Sequence, residues 1–203
     1  MSSSSEEIRS AKRALRELIG RRRRELPQPA KKRSSRIIVG SLIDLPCYRG
    51  AETVMLYVHL PDEVRTTQLL ADAAERGKRV VVPYCDGRHL GLFQVEELEE
   101  LEPGTFGVLE PQPELRGDPA RNVAPEQLDL IVVPGVAFDA HGGRLGRGKA
   151  YYDGLLSSVR PDTALVALAF ECQIVDEVPM QPHDVYMHQV ITEERVYTAR
   201  ETS

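Results

Sequence analysis

The sequence LIVVPGVAFDAHGGRLGRGKAYYD, residues 130–153, decides the fold. It opens with an apolar run, Leu130 to Val133, which predicts a buried strand that ends at Pro134-Gly135. Glycines then stand at positions 142, 143, 146 and 148, interleaved with three cations (Arg144, Arg147 and Lys149). The apolar spacing from Tyr151 to Val159 predicts a helix directly after this loop.

A glycine-rich, cationic loop that leads into a helix N-terminus suits a polyphosphate, because backbone N–H groups, the helix dipole and the cations all favour negative charge. Gly143 to Lys149 fits the P-loop pattern GxxxxGK, but Ala150 stands where a P-loop needs Ser or Thr for its magnesium. The loop is therefore not a Walker A motif, and Asp153 is the nearest candidate metal ligand. The alternative is an ordinary surface turn of glycines and solvated cations.

The stretch from Pro134 to Asp153 resembles the signature PGxAFDxxGxRLGxGxGYYD of the 5-formyltetrahydrofolate cyclo-ligase (methenyltetrahydrofolate synthetase) family, with Ala150 in place of its last glycine. The resemblance implies that Arg144, Arg147 and Lys149 act in catalysis. It implies that the loop and the start of the helix bind ATP, through Arg144, Leu145, Gly146, Arg147, Gly148, Lys149, Ala150, Tyr151 and Tyr152.

The N-terminal segment is predicted to be an amphipathic helix that begins near residue 5 and ends before Pro27. From spacing alone, Lys12 and Arg16 belong to a solvated face, and the run Arg21 to Arg24 to a solvated helix end. Lys12 to Arg16 also matches the KxxLR pattern of the cyclo-ligases, in which these cations contact the nucleotide. The resemblance therefore adds Lys12, Arg13 and Arg16 to the expected ATP site.

Glu63 lies in a loop after a predicted strand, Thr53 to Val58, and before a helix that Gly77 ends. A carboxylate in the first turn of a helix needs no further role, since the helix dipole favours it. The family has Glu-Val-x-Thr at this position, and its glutamate binds the folate pterin. The resemblance implies that Val58, Glu63, Arg147 and Tyr151 bind the substrate, although His59 departs from the family's small polar residue.

The C-terminal part of the chain matches the family's ending in order, through Gln173, Pro179, His183-Asp184 and residues 190–193. A lone His-Asp pair is more often a turn than a ligand site. The family nevertheless places a magnesium-associated aspartate at the position of Asp184. Asp153 and Asp184 are therefore expected to hold Mg²⁺ together.

Further helices and strands are predicted between these motifs. They are a helix over Ala30 to Leu45 whose core face includes Ile37, strands over Arg79 to Cys85 and His89 to Val95 joined as a hairpin, a long acidic loop over Glu96 to Leu115, and a strand over Thr163 to Phe170. Helices and strands alternate, so we expect an α/β fold, with one three-layer domain over residues 1–203 and a mostly parallel sheet. The resemblance implies an architecture similar to ribose-5-phosphate isomerases and CoA transferases, and residues 1–5 and 200–203 are expected to be disordered.

Composition and charge limit the classes of function. The 203 residues are 41% hydrophobic and 28% charged, which is ordinary for a globular protein. Residues 1–36 carry a net charge of +8 and the remainder −13, which gives the overall −5 and argues against general nucleic-acid binding. Three scattered cysteines indicate reduced thiols, and the first residues lack a signal-peptide pattern. We expect a cytoplasmic monomer that binds small molecules, with neither nucleic acid nor membrane as a partner.

The resemblance implies ATP- and Mg²⁺-dependent conversion of 5-formyltetrahydrofolate to 5,10-methenyltetrahydrofolate, with release of ADP and phosphate. A phosphosugar-binding sensor on the same fold is one alternative, and it would need neither Glu63 nor a metal pair. A family member whose catalysis is weakened at Ala150 is another. We predict a negative φ at Ala150, since alanine favours the helix expected to start there; a positive φ would favour the weakened member.

Overall fold

The computed structural model describes residues 2–87, 89–104, 107–182 and 184–199, with the side chains of residues 2–5 excepted. Its five α-helices within these ranges are α1 (Ser2–Glu25), α2 (Gln28–Asp44), α3 (Pro46–Gly50), α4 (Thr67–Glu75) and α5 (Tyr151–Leu156). Residues 200–203 lie outside the described part, so disorder of the chain ends stays a prediction, although helical backbone begins at Ser2. No helix in the described ranges is long and apolar enough to cross a membrane.

A seven-stranded sheet forms the centre of the molecule, in the order β12-β11-β9-β6-β1-β2-β3. Its five inner strands are parallel, and the two edge strands pair antiparallel, which confirms the mostly parallel sheet. The strands are β1 (Thr53–Met55), β2 (Arg79–Asp86), β3 (His89–Val95), β6 (Leu130–Val133), β9 (Ala164–Leu168), β11 (Gln189–Ile191) and β12 (Val196–Thr198).

Strand side chains alternate between two apolar layers, as the two-residue period of a strand requires. In β6, Leu130 and Val132 pack on the side that α2 and α4 cover, whereas Ile131 and Val133 pack on the side of α5. Helices therefore lie on both faces of the sheet, which is the predicted three-layer arrangement. Ile37 is 53% exposed, because the buried face of α2 passes through Ser35, Ile38 and Leu42 instead.

Two small sheets complete the fold. The region predicted to be a long loop, Glu96 to Leu115, contains an antiparallel pair, β4 (Leu101–Pro103) and β5 (Leu109–Pro111). Between β6 and α5 the chain forms β7 (Ala137–Asp139) and β8 (Arg144–Leu145), and β10 (Ile174–Val175) pairs with β7. Arg144 and Leu145 thus belong to a buried strand, Gly146 is half-buried, and the loop is exposed over residues 147–150.

Candidate active site

A cavity of about 380 Å³ opens where three parallel strands end, which is where open α/β sheets bind ligands. Tyr57 and Val58 follow β1, Pro83 to Cys85 end β2, and Pro134-Gly135 follow β6. The other lining residues come from α1, the loop before α4, the β3 and β5 region, the glycine loop, α5 and the C-terminal segment (Lys12, Arg16, Leu60, Glu63, Leu90, Val108, Glu110, residues 144–153 and Asp184).

Every residue assigned to the site from the sequence lines this cavity, with Arg13 as the exception. Arg13 is exposed on α1, one residue away from the face that carries Lys12 and Arg16. The fold therefore brings together three separate regions of the sequence, namely the N-terminal helix, the Glu63 loop and the glycine loop. His183, the neighbour of Asp184 in the matched ending, lies outside the described residues.

Helix α1 contributes two cations that lie one turn apart. Arg16 Nε donates to the carbonyl oxygen of Gly146 at 2.9 Å, and Lys12 Nζ contacts Asp184 Oδ2 at 2.6 Å. Both side chains are partly buried. The side of α1 that they occupy is therefore a wall of the cavity and not a solvated face.

Asp139 anchors the turn that precedes the glycine loop. Its buried carboxylate accepts backbone N–H bonds from His141 and Gly143 on Oδ1 and from Val178 on Oδ2, each at 2.9 Å. These bonds fix the direction in which β8 leaves the turn. Apart from the position of Asp139 in the matched signature, no sequence pattern predicts this role.

Arg144 projects from β8 as a buried cation. Its Nη2 pairs with Asp153 of α5, its Nη1 donates to the Pro134 carbonyl oxygen at 3.4 Å, and its guanidinium lies 5.9 Å from the centre of the Tyr152 ring. Burial lowers the pKa of Arg144, and the charge of Asp153 opposes that effect. The Nε of Arg144 has no hydrogen-bond partner among the described residues, so one donor remains to be satisfied inside the site.

The glycine loop contains backbone that only glycine adopts without strain. Gly148 has a φ of 88°, and a side chain there would also lie 3.3 Å from the Arg16 guanidinium. Ala150 has a φ of 56° and a ψ of 9°, so the prediction of a negative φ is wrong. Helix α5 begins at Tyr151, and Ala150 is the turn residue before it, where helix propensity does not apply. This positive φ is the observation that favours a weakened family member.

Glu63 and Arg147 form an ion pair across the cavity. Arg147 Nη2 donates to Glu63 Oε1 at 2.9 Å, and the backbone N–H of Leu60 donates to Oε2 at 3.0 Å. The Glu63 side chain is 9% exposed and that of Arg147 is 51% exposed. Glu63 is therefore fixed in a wall of the cavity, whereas Arg147 reaches it from a loop that is open to solvent.

An apolar wall that the sequence did not predict lies on one side of the cavity, formed by Pro83, Tyr84, Leu90 and Val108. Tyr84 is opposite Gly91 in the β2–β3 pair, and its ring occupies the space that a side chain at position 91 would fill. Glu110 connects this wall to β5, since it accepts from the backbone N–H of Cys85 at 3.3 Å. The sequence predicted only a loop over Glu96 to Leu115, the region that contributes Val108 and Glu110.

Asp153 and Asp184, the residues expected to hold magnesium, line the same cavity, and both act electrostatically on Arg144. In the described residues no three His, Cys, Asp or Glu side chains form a metal cluster. Mg²⁺ is commonly held by one or two carboxylates together with substrate phosphates, so this donor set fits the ion when a nucleotide is bound. The metal-binding role of Asp153 and Asp184 stays a prediction.

The model of the 5-formyltetrahydrofolate cyclo-ligase family matches residues 8–193. The chain belongs to this family. Among curated relatives, the 5-formyltetrahydrofolate cyclo-ligase of Mus musculus is 31% identical over 92% of this chain and 96% of its own length. A probable 5-formyltetrahydrofolate cyclo-ligase of Schizosaccharomyces pombe is 34% identical over 78% of this chain and 83% of its own length.

Solved structures agree with the family assignment. The 5,10-methenyltetrahydrofolate synthetase of Aquifex aeolicus superposes with a TM-score of 0.81 at 32% identity, over 95% of this chain and 94% of that chain. A 5,10-methenyltetrahydrofolate synthetase from Mycoplasma pneumoniae shares the fold, with a TM-score of 0.72 at 23% identity over 90% of this chain and 98% of that chain. The α/β fold with a large, mostly parallel sheet is thus common to this chain and these synthetases.

Proposed function

We propose that this cyclo-ligase family member converts 5-formyltetrahydrofolate to 5,10-methenyltetrahydrofolate with consumption of ATP and release of ADP and phosphate. The observation that carries the proposal is a single cavity with two chemically different halves. One half has cations on a glycine loop and on α1, and the other has an apolar wall with a nearly buried carboxylate. The first suits a polyphosphate and the second suits a pterin and its aromatic extension.

The reaction explains why cations and not a protein nucleophile line the site. The formyl oxygen on N5 is an amide oxygen, so it is a weak nucleophile and a poor leaving group. Transfer of the γ-phosphoryl group to this oxygen gives an iminium phosphate, which N10 attacks before phosphate leaves. The protein's task is then to position the groups and to neutralise charge, and we assign it to Lys12, Arg16, Arg144, Arg147 and Lys149.

Glu63 is the group that we assign to pterin recognition. Its two oxygens match the paired N–H donors of an aminopyrimidine edge, and the Leu60 N–H already fixes its orientation. Asp153 and Asp184 would hold Mg²⁺, which when bound offsets the charge of the transferring phosphoryl group. The expected partners are therefore two small molecules, ATP and the reduced folate.

The direct test is the rise in absorbance of methenyltetrahydrofolate when protein, ATP, Mg²⁺ and 5-formyltetrahydrofolate are mixed. Omission of each component in turn should abolish the rise. Thermal shift with each ligand alone gives a second readout, because a ligand that binds the folded state raises Tm. Stabilisation by sugar phosphates with no response to folate would support the phosphosugar sensor instead.

The positive φ of Ala150 supports a second candidate, a folate-binding family member with weakened catalysis. The weakened family member and the active enzyme differ in one expected result. Folate and ATP would both raise Tm, but methenyltetrahydrofolate would form slowly until glycine is restored at position 150.

A further inference from the structure

Helix α2 buries two polar residues on the side where a helix usually packs apolar ones. This side passes through Lys31, Ser35, Ile38 and Leu42, which lie at successive turns of the helix. Ile38 and Leu42 belong to the apolar core, whereas Lys31 is 2% exposed and Ser35 is 3% exposed. Lysine is almost never buried to this extent unless it is paired. The burial of Lys31 therefore depends on its partner.

The partner of Lys31 is the residue next to Glu63. Lys31 Nζ donates to Asp62 Oδ1 at 2.8 Å, and this hydrogen bond is the main cause that lowers the pKa of Asp62 below its usual value. The Asp62 side chain is 40% exposed, so the ammonium is fixed in the interior and the carboxylate reaches it from the surface. An ion pair with a buried member is often no more stable than apolar side chains of similar volume. The position that the contact imposes on Asp62 and Glu63 explains it better than stability does.

Residues 60–63 form a turn that two hydrogen bonds close. The backbone N–H of Glu63 donates to the Leu60 carbonyl oxygen at 2.9 Å, and the Leu60 N–H donates to Glu63 Oε2 at 3.0 Å. Both bonds join residues of the turn to each other, so they orient the Glu63 carboxylate only within the turn. The direction in which this carboxylate faces the cavity therefore depends on the contacts that hold the turn from outside.

Helix α2 supplies such contacts on both sides of Glu63 in the sequence. Lys31 holds Asp62, which is the residue before Glu63. Two residues after Glu63, the backbone N–H of Arg65 donates to Ser35 Oγ at 3.0 Å. Because Lys31 and Ser35 are one turn apart on one helix, they hold the two ends of this short segment at a fixed separation.

We propose that Lys31 is a positioning residue that acts through Asp62 and holds Glu63 where its carboxylate meets the pterin. The inference rests on the proposed function and adds to it a buried residue that does not line the cavity. Arg147 also contacts Glu63, but its side chain is 51% exposed and the proposed function assigns it to the nucleotide. Lys31 thus affects binding in the folate half of the cavity and not in the nucleotide half.

The test is Lys31→Met, which removes the charge and keeps an unbranched apolar side chain. We expect the KM for 5-formyltetrahydrofolate to rise by roughly tenfold, because a displaced carboxylate is poorly aligned with the pterin donors. The kcat and the KM for ATP should stay within about threefold of wild type, since the cations of the glycine loop and α1 keep their places. An unchanged folate KM in the folded variant would overturn the proposal, as would equal losses in kcat and in both KM values.

A double-mutant cycle tests whether Lys31 acts through Asp62. Asp62→Ala should by itself raise the folate KM by roughly tenfold, and in the Lys31→Met background it should change this KM by less than about threefold. The effects are expected to be non-additive because each substitution breaks the same contact. Effects that multiply to roughly a hundredfold would show that the two residues act independently, and this result would refute the proposed route through Asp62.

Lys32→Met is the matched control, because Lys32 is the next residue of α2 and its side chain is exposed. It should change neither KM, and a tenfold rise in the folate KM here would assign the effect to the general charge of α2 instead. If Lys31→Met does not fold, Asp62→Ala is measured in the same way, since the Asp62 side chain is partly exposed. Failure of both variants to fold would assign the pair to stability alone and reject the positioning role.

The proposed function fails separately from this inference. Wild-type protein that neither binds nor converts 5-formyltetrahydrofolate refutes the function, whatever Lys31 does. If wild type binds the folate without turnover, calorimetry gives the Kd of wild type, Lys31→Met and Lys32→Met, and the same tenfold comparison applies.

Discussion

Restoration of glycine at position 150 is the most informative single change in this chain. Ala150 is held at a φ of 56° and a ψ of 9°, in the left-handed region, and it is the only non-glycine residue described with a positive φ. An L-residue in this region costs roughly 1–2 kcal/mol, whereas glycine adopts it freely. Ala150→Gly should therefore relieve strain that lies directly between the glycine loop and α5.

The expected size of the effect follows from two opposing contributions. Relief of strain stabilises the folded state by roughly 1–2 kcal/mol, and the greater freedom of glycine in the unfolded chain offsets about 0.4–1 kcal/mol of that gain. The net gain is about 0.5–1 kcal/mol, which corresponds to a rise in Tm of about 1–4 °C for a domain of this size. We expect kcat/KM to change by less than about tenfold, since the strain concerns the fold of the loop more than the charges on it.

Thermal unfolding and the methenyltetrahydrofolate assay measure the two parts of this prediction. Ala71→Gly is the control, because Ala71 is exposed within helix α4. There glycine should lower stability by roughly 0.5–1 kcal/mol, so the two substitutions are expected to have opposite signs. A Tm that falls in both variants would refute the strain argument, and a gain of several hundredfold in activity for Ala150→Gly would establish the weakened family member.

Lys149→Ala should lower kcat/KM by roughly a hundredfold or more, the usual loss for one transition-state charge contact, and activity within about threefold of wild type would remove Lys149 from the mechanism. Glu63→Gln should raise the folate KM by a factor that corresponds to ~1–3 kcal/mol and leave the KM for ATP nearly intact; equal weakening of both would indicate a structural role. Asp184→Asn should raise the Mg²⁺ concentration needed for half-maximal activity, and an unchanged Mg²⁺ titration would exclude it as a ligand. Asp153→Asn should do the same and also lower Tm, because buried Arg144 loses its ion-pair partner; an unchanged Tm would show that this pair does not stabilise the fold.

The regular parts of the fold follow from local sequence. The apolar run at Leu130 to Val133 is β6 residue for residue, and the Asp86-Gly87 turn joins β2 and β3 as a hairpin. Gly77, which was expected to end a helix, has a φ of 69° two residues after α4. Each of these signals depends on neighbouring residues alone, through hydrophobic period or turn conformation.

The parts that local sequence did not predict depend on tertiary contacts. The β4–β5 pair lies in an acidic, proline-containing segment whose composition favours a loop, and β5 packs beside β2. Arg23 was predicted to belong to a solvated run, but it is buried, with 6% of its surface exposed. A sequence does not show which side of a helix another segment will cover. At Ala150 helix propensity predicted the wrong backbone, since the loop and not the helix determines the conformation of that residue.

The pairing of charges in the cavity indicates how ligands would be coupled. Lys12 contacts Asp184, Arg144 contacts Asp153, and Arg147 contacts Glu63, so each pair joins a proposed phosphate-binding cation to a proposed metal or folate carboxylate.

Nucleotide and metal must therefore break these ion pairs when they bind. If a nucleotide binds without Mg²⁺, its phosphates take the cations, and the carboxylates that have lost their partners lie close to the phosphates. Such like-charge contacts are costly in a cavity of low dielectric constant. ATP should accordingly raise Tm much less without Mg²⁺ than with it.

Folate should bind more tightly once Mg²⁺ and ATP have drawn Arg147 from Glu63, and by linkage ATP should bind more tightly when folate is present. Calorimetric titration of each ligand, with and without the other, measures this coupling, and equal affinities in both titrations would show that the Arg147–Glu63 pair does not connect the two halves of the site.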